Sequence, residues 1–327
     1  MKNTTSLNRH SLTAALSAFP ALIALGAPVF AEGSFTNLDN LGGTFISSQS
    51  VSSDGSVAVG NFNTSESQQH QGFRWDSING TQSIGSLGGT YTYTYASSAN
   101  GAVIVGESST ANNQYYQAFR WDSINGMQPL GSLGGTYSYA MAVSANGAVI
   151  VGSTNVAESQ YQHAFRWENG EMADLGTLGN HSYGRFVSAD GAVVAGHYST
   201  NNEDEYLAFR WDSITGMQSL GTLGGMNSLA TALSADGRVV VGKSDAKNNQ
   251  NQLAFRWENG EMLSLRTLGG SNSYATAVSA NGAVVVGNSN VANGTEHAFR
   301  WENGVMADLG TLGGNTSSDA RAGLALF

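Results

Sequence analysis

Six copies of Phe-Arg-Trp followed by Asp or Glu are where charge, aromaticity and spacing coincide in this chain. Arg74, Arg120, Arg166, Arg210, Arg256 and Arg300 each precede a tryptophan, at Trp75, Trp121, Trp167, Trp211, Trp257 and Trp301. On an extended strand, residues two apart project from the same face, so Arg166 and Glu168 form a pair. A ring of such pairs could recognise a repetitive ligand. The preferred reading is architectural: the pair recurs because the unit recurs. Phe165 and Trp167 would each bury about 150–250 Å², and truncating such a residue costs about 3–5 kcal/mol. Packing alone accounts for them.

The other candidate chemistry is weaker. The Leu-Gly-Gly triplets would make a phosphate cradle only if a helix followed them; here they separate strands and read as turns. The Ser-x-Asp/Asn-Gly turns carry one acidic residue each and interchange Asp with Asn, too few oxygens for calcium. His70, His163 and His297 read as one repeat position in non-adjacent units, hence as surface or packing residues. No cysteine is present, which excludes a thiol nucleophile, thiolate metal ligands and disulfides. No Ser/His/Asp set and no paired carboxylates stand apart from the repeat, so neither catalysis, nor a metal, nor a cofactor is expected.

What does not repeat is a polar stretch between the second and third strands of each unit, at residues 61–71, 107–117, 153–163, 197–207, 243–253 and 288–297. Its length is nearly fixed while its sequence drifts. Variable polar loops on a rigid frame are where binding is usually placed. Tyr115, Tyr116, Tyr161 and Tyr206, flanked by Asn and Gln, suit contacts to a sugar or a protein.

The elements that must position these residues follow from one period. The six tryptophans, the Leu-Gly-Gly triplet and the Ser-x-Asp/Asn-Gly turn all recur with the same spacing, 44–46 residues for the tryptophans. A period of that size signals a propeller, solenoid or array. Within one unit, residues 273–279 alternate like a half-buried strand. Asn281-Gly282 predicts a tight type I′ hairpin. Residues 283–286 are apolar on both faces, as in a covered strand. Residues 297–301 form a third strand with Phe and Trp on one face and Ala and Arg on the other. Asn303-Gly304 turns into a fourth strand at residues 305–309. Four short strands per unit predict an all-β, β-propeller-like fold of six four-stranded blades. An open or incomplete toroid and a β-solenoid are the alternatives. The turn after tryptophan is longer at residues 76–80, 122–126 and 212–216 than at the Glu-Asn-Gly turns.

Residues 1–31 read as a signal peptide: Lys2 and Arg9 give the positive region, residues 12–25 the apolar region, and residues 29–31 a cleavage site. The apolar run is shorter than a bilayer-spanning helix and is broken by Pro20, Gly26 and Pro28. The formal net charge is −10, and removing Lys2 and Arg9 makes the mature chain more acidic still. Nucleic acid and anionic membrane surfaces are repelled at long range. The repeat domain is expected over residues 32–314, with residues 315–327 starting a truncated seventh copy. Residues 35–41 resemble a fourth strand with no preceding three.

The recurring text HAFRWENG at residues 163–170 and 297–304, MADLGTLG at 172–179 and 306–313, and AVSANGAVIVG at 142–152 resembles the bacterial extracellular repeat of the HAF family over about residues 35–322. The other four units read QGF, QAF, LAF and LAF, which leaves the histidine no special role. The resemblance implies an exported or surface location and a propeller-like fold, in some relatives as the passenger segment of an autotransporter; it implies no defined activity. The expectation is therefore an exported, non-enzymatic module for surface interaction or adhesion. It would be extracellular or at the cell surface, or periplasmic if translocation is incomplete, with a host-surface glycan or protein as partner. A carbohydrate-active propeller enzyme, or a truncated passenger with a structural role only, are the alternatives.

Overall fold

The computed structural model describes residues 38, 41–64, 69–157, 161–202, 204–247, 249–311 and 317–320. The expected signal peptide lies outside the described residues, as does most of the seventh copy. Alternating and apolar segments form six sheets of four antiparallel strands each. First strands run Phe45–Val51, Gly88–Ser97, Gly134–Val143, Ser182–Val187, Gly224–Leu233 and Gly269–Val278. Second strands run Val57–Asn63, Val103–Thr110, Val149–Val156, Val193–Ser199, Val240–Ala246 and Val284–Val291. Third strands run His70–Asp76, Tyr116–Asp122, Gln162–Glu168, Tyr206–Asp212, Gln252–Glu258 and Glu296–Glu302. Short fourth strands follow at Gly80–Ser83, Gly126–Pro129, Glu171–Asp174, Gly216–Ser219, Glu261–Arg266 and Val305–Asp308. These are the six blades of the expected propeller, and their antiparallel order excludes the solenoid.

The core lies between blades. Phe299 and Trp301 of the sixth blade pack with Val239, Val241 and Ala254 of the fifth, and Phe255 and Trp257 pack with Val193, Ala195 and Ala208 of the fourth. All six quartet phenylalanines are fully buried. The quartet arginines tie blades together. Arg166 Nη1 binds Glu168 Oε2 at 2.9 Å, while its Nε donates to the Gly191 carbonyl of the next blade at 3.0 Å. Arg210 and Arg256 repeat this with Gly237 and Gly282, and Arg256 lies over the Trp301 ring.

The turns divide in two kinds. Asn303-Gly304 is a two-residue turn with both residues at positive φ, 51° and 81°, as type I′ requires. The turn at Asn281-Gly282 corrects the expectation. It spans five residues between strands, and only Gly282 is left-handed, at φ 72°. Ser279 shapes it, donating to Asn281 Oδ1 at 2.8 Å and accepting from Val284 N at 2.9 Å. In the first blade Ser52 does the same with Asp54 Oδ1. Only one side-chain oxygen is used, which is why Asp and Asn interchange.

Backbone bonds link these turns from blade to blade: Ser53 N to Ala99 O, then Ala99 to Ala145, Ala145 to Ala189, Ala189 to Ala235 and Ala235 to Ala280, at 2.7–3.0 Å. Beyond the sixth blade, Ser318 Oγ accepts from Ala298 N at 2.9 Å and donates to Gly310 O at 2.6 Å. Ser273 makes the same contacts on the fifth blade, with Ala254 N and Arg266 O. The residues 317–320 therefore sit against the sixth blade as a first strand sits against its predecessor.

Candidate functional site: a ring of bulge residues around the central cavity

Every first strand carries a β-bulge at the same place. The register slips at Gln49, Tyr95, Met141, Arg185, Thr231 and Thr276, the one residue in each strand left without a cross-strand partner there. A bulge breaks the two-residue alternation and re-aims its side chain. The facing residue is always a glycine. A Cβ on Gly106 would lie 1.9 Å from the Tyr93 carbonyl oxygen, and on Gly152 1.8 Å from that of Tyr139. The glycine that ends each apolar run is thus the residue that lets the bulge form.

The six bulge residues line one cavity of about 300 Å³, walled by the second halves of all six first strands. Their side chains are of five types, with threonine at both Thr231 and Thr276. Gln49 Nε2 donates to Ser47 Oγ at 3.2 Å. Tyr95 donates its hydroxyl to Glu107 Oε1 at 2.5 Å. Thr231 donates to Val241 O and Ala275 O, and Thr276 to Val286 O and Ala320 O. Arg185 reaches its neighbour's bulge residue, with Nη1 3.8 Å from Met141 Sδ, and lies beside the Tyr183 ring. Burial pulls its pKa down.

Behind the bulges stands a second variable column, on the second strands: Asn61, Glu107, Ser153, His197, Lys243 and Asn288, opposite Ser47, Tyr93, Tyr139, Tyr183, Leu229 and Tyr274. Asn61 satisfies the Thr94 amide of the next blade at 2.8 Å, and Asn288 does so for Ala320. Glu107 breaks that pattern. It is 9% exposed, and its Oε2 is buried without a hydrogen-bond partner. Burial raises its pKa, opposed by the Tyr95 hydroxyl. His197 is pushed down to about 4, by burial and then by Arg185.

The four tyrosines expected in loops are placed as follows. Tyr116 and Tyr206 belong to third strands; Tyr115 and Tyr161 precede third strands. Each meets another ring: Tyr115 on Tyr137 of the next blade at 5.9 Å, Tyr116 with Tyr93 at 6.4 Å, Tyr161 on His181 at 5.2 Å and Tyr206 on His197 at 5.8 Å. They belong to three separate ring clusters: His70, Tyr93 and Tyr116; Tyr115 and Tyr137; and Tyr161, His181, Tyr183, His197 and Tyr206. The stretches read as loops begin inside second strands, which run on to Thr110 and Val156.

The histidine trio is corrected too. His163 and His297 share a position, and each binds a fourth-strand carboxylate, Asp174 or Asp308, at 2.9 Å. His70 aligns with Gln162 and Glu296 instead, so it faces the other way and meets Tyr93 at 5.0 Å. Sequence reasoning missed the bulge ring, Glu107 and His197; the available signal was a glycine inside each apolar strand, which marks a bulge.

No family model matches the chain, and no curated protein matches its sequence. Solved structures do match its fold. The β-propeller domain of the Trilobed protease from Pyrococcus furiosus, described as having an open velcro topology, is similar over 84% of this chain and 85% of its own, at TM-score 0.53 and 12% identity. A prolyl endopeptidase structure is similar over 82% of this chain but 42% of its own, at TM-score 0.54 and 9% identity. TolB from Acinetobacter baumannii, 18% identical, aligns over 66% of this chain at TM-score 0.46, and the chain spans about half of its length, 52%. At this identity the likeness to the Pyrococcus furiosus domain shows a propeller fold.

Proposed function

We propose that this chain is an exported, non-enzymatic binding module acting in surface interaction or adhesion. The observation that carries the reading is the contrast between frame and site. The quartets and glycines repeat, while the six bulge residues around the shared cavity are of five types, only Thr231 and Thr276 being alike. A repeated frame that presents differing side chains to one shared cavity has the layout of a recognition scaffold. Catalysis would need two titratable groups of unlike role converging on one point; of the two in the bulge ring, Arg185 and Tyr95, the Tyr95 hydroxyl is already donated to Glu107. Among the described residues no group of three His, Cys, Asp or Glu could hold a metal ion. Export rests on residues 1–31, and a surface location on the resemblance of the repeated text to the HAF extracellular repeat. Among the described residues no helix is long and apolar enough to cross a membrane.

The test is binding of refolded residues 32–327 to glycan arrays and host-cell surfaces, with Tyr115→Ala, Tyr206→Ala and the double variant alongside. Saturable binding that the double variant weakens is the expected result. Blank arrays and cells would overturn adhesion.

A further inference from the structure

We infer that the central cavity binds an organic carboxylate with a short apolar tail, held through the guanidinium of Arg185. The inference rests on reading the cavity as a binding site, and names the chemistry of what enters it.

The wall supplies the first half of the case. Between the bulge residues it is built from apolar side chains, small, branched and aromatic, among them Ala142, Phe186, Val187, Leu233 and Val278. Such a surface favours an apolar tail of matching size. The polar wall groups are largely spent. Gln49 and Tyr95 donate to Ser47 and Glu107, and both threonine hydroxyls donate to carbonyls.

Arg185 is the exception. A guanidinium carries five N–H donors in a planar fork. Its described contacts are a thioether sulfur, a weak acceptor, and an aromatic ring 6.0 Å away. No carboxylate stands within ion-pair distance of it among the described residues, whereas all six quartet arginines have one. A half-buried cation without a counter-ion is costly, and a fork of parallel donors fits one carboxylate in a bidentate pair. The equivalent positions in the other five blades are uncharged, so no second cation is present to meet a phosphate dianion. The bulge aims the group at the axis, which is why one arginine in one blade suffices to give the whole cavity a polarity.

Calorimetric titration of the full chain with hexanoate, hexanamide and inorganic phosphate tests this. Hexanoate should bind, with hexanamide about tenfold weaker or worse, since a charge-assisted hydrogen bond is lost, and phosphate should give no heat of binding. Arg185→Met should abolish hexanoate binding and Arg185→Lys should keep part of it. Ala232→Phe, which leaves Arg185 in place and narrows the cavity, should weaken it as well, and thermal melts of all three variants matching wild type show that lost binding is not lost fold. A Leu-terminated tripeptide with a free or an amidated C-terminus separates the two sources of such a carboxylate. Binding of the free form only would point to a chain end, and binding of hexanoate alone to a free acid. Equal affinity for hexanoate and its amide, unchanged affinity in Arg185→Met, or no binding of any carboxylate would overturn the inference. Hexanoate binding with blank adhesion assays would overturn the adhesion reading alone.

Discussion

Glu107 and His197 occupy the same strand position in different blades, yet burial moves their stability contributions in opposite directions with pH. For Glu107 the folded pKa is raised, so its contribution is fully present below the unfolded pKa and is lost as pH rises through the folded value. Glu107→Gln should therefore make the protein more stable than wild type at pH 7, with the difference shrinking in acid; urea melts at two pH values check it. For His197 the folded pKa is depressed to about 4 from 6.5. A histidine held neutral contributes fully above the unfolded pKa, and the contribution disappears as pH falls from about 6.5 toward 4, a loss of up to about 3 kcal/mol. Arg185, Tyr183 and Tyr206 neighbour this ring, and His181 stacks on Tyr183. His197→Gln should flatten the decline, read as a smaller drop in melting temperature between pH 7 and pH 4.5.

At the scale of the strand, the glycine that faces the bulge and the glycine of the turn are constrained for different reasons. Gly106→Ala would place a methyl 1.9 Å from the Tyr93 carbonyl oxygen, and rigid backbone on both sides leaves it nowhere to go. The expected cost is about 3 kcal/mol or more, with the bulge lost. Gly170→Ala meets open space but sits at φ 90°, so strain alone should cost about 1 kcal/mol. Denaturant unfolding of the two variants separates steric clash from backbone strain. In the adjoining turn, Asp190 serves through Oδ1, accepting from Ser188 Oγ at 2.6 Å and Ala192 N at 3.0 Å. Asp190→Asn should stay within about 0.5 kcal/mol of wild type, whereas Asp190→Ala should cost about 1 kcal/mol.

For the whole molecule, stability resides between blades rather than within them, because each blade's third-strand aromatics complete the core of the blade before. Trp257→Ala should cost about 3–5 kcal/mol and loosen the fourth blade, against which Trp257 packs. Hydrogen exchange should rise at the amides of Val193–Ser199 as well as in the fifth blade itself. Exchange confined to the fifth blade would argue against the interlocked arrangement.

The sequence by itself determined the unit: its length, its four strands, its alternation of buried phenylalanine with tied arginine, and its second hairpin. These follow from local propensities and from a pattern written six times, so any one copy corrects the reading of the others. The same repetition concealed the site. Thr276 sits in a run that alternates cleanly, Ser-Tyr-Ala-Thr-Ala-Val-Ser, and nothing local says that the alternation slips there. The first hairpin hides its form for a related reason, since Asn281-Gly282 carries the residues of a two-residue turn while the Ser279 side chain closes a longer one. Which residues face the axis was decided only by the tertiary structure. The bulge is a relation between two strands, and the cavity is a relation among six. Arg185 lacks a counter-ion because its neighbours in space are the thioether of Met141, on the preceding blade, and the phenol ring of Tyr183, on its own strand.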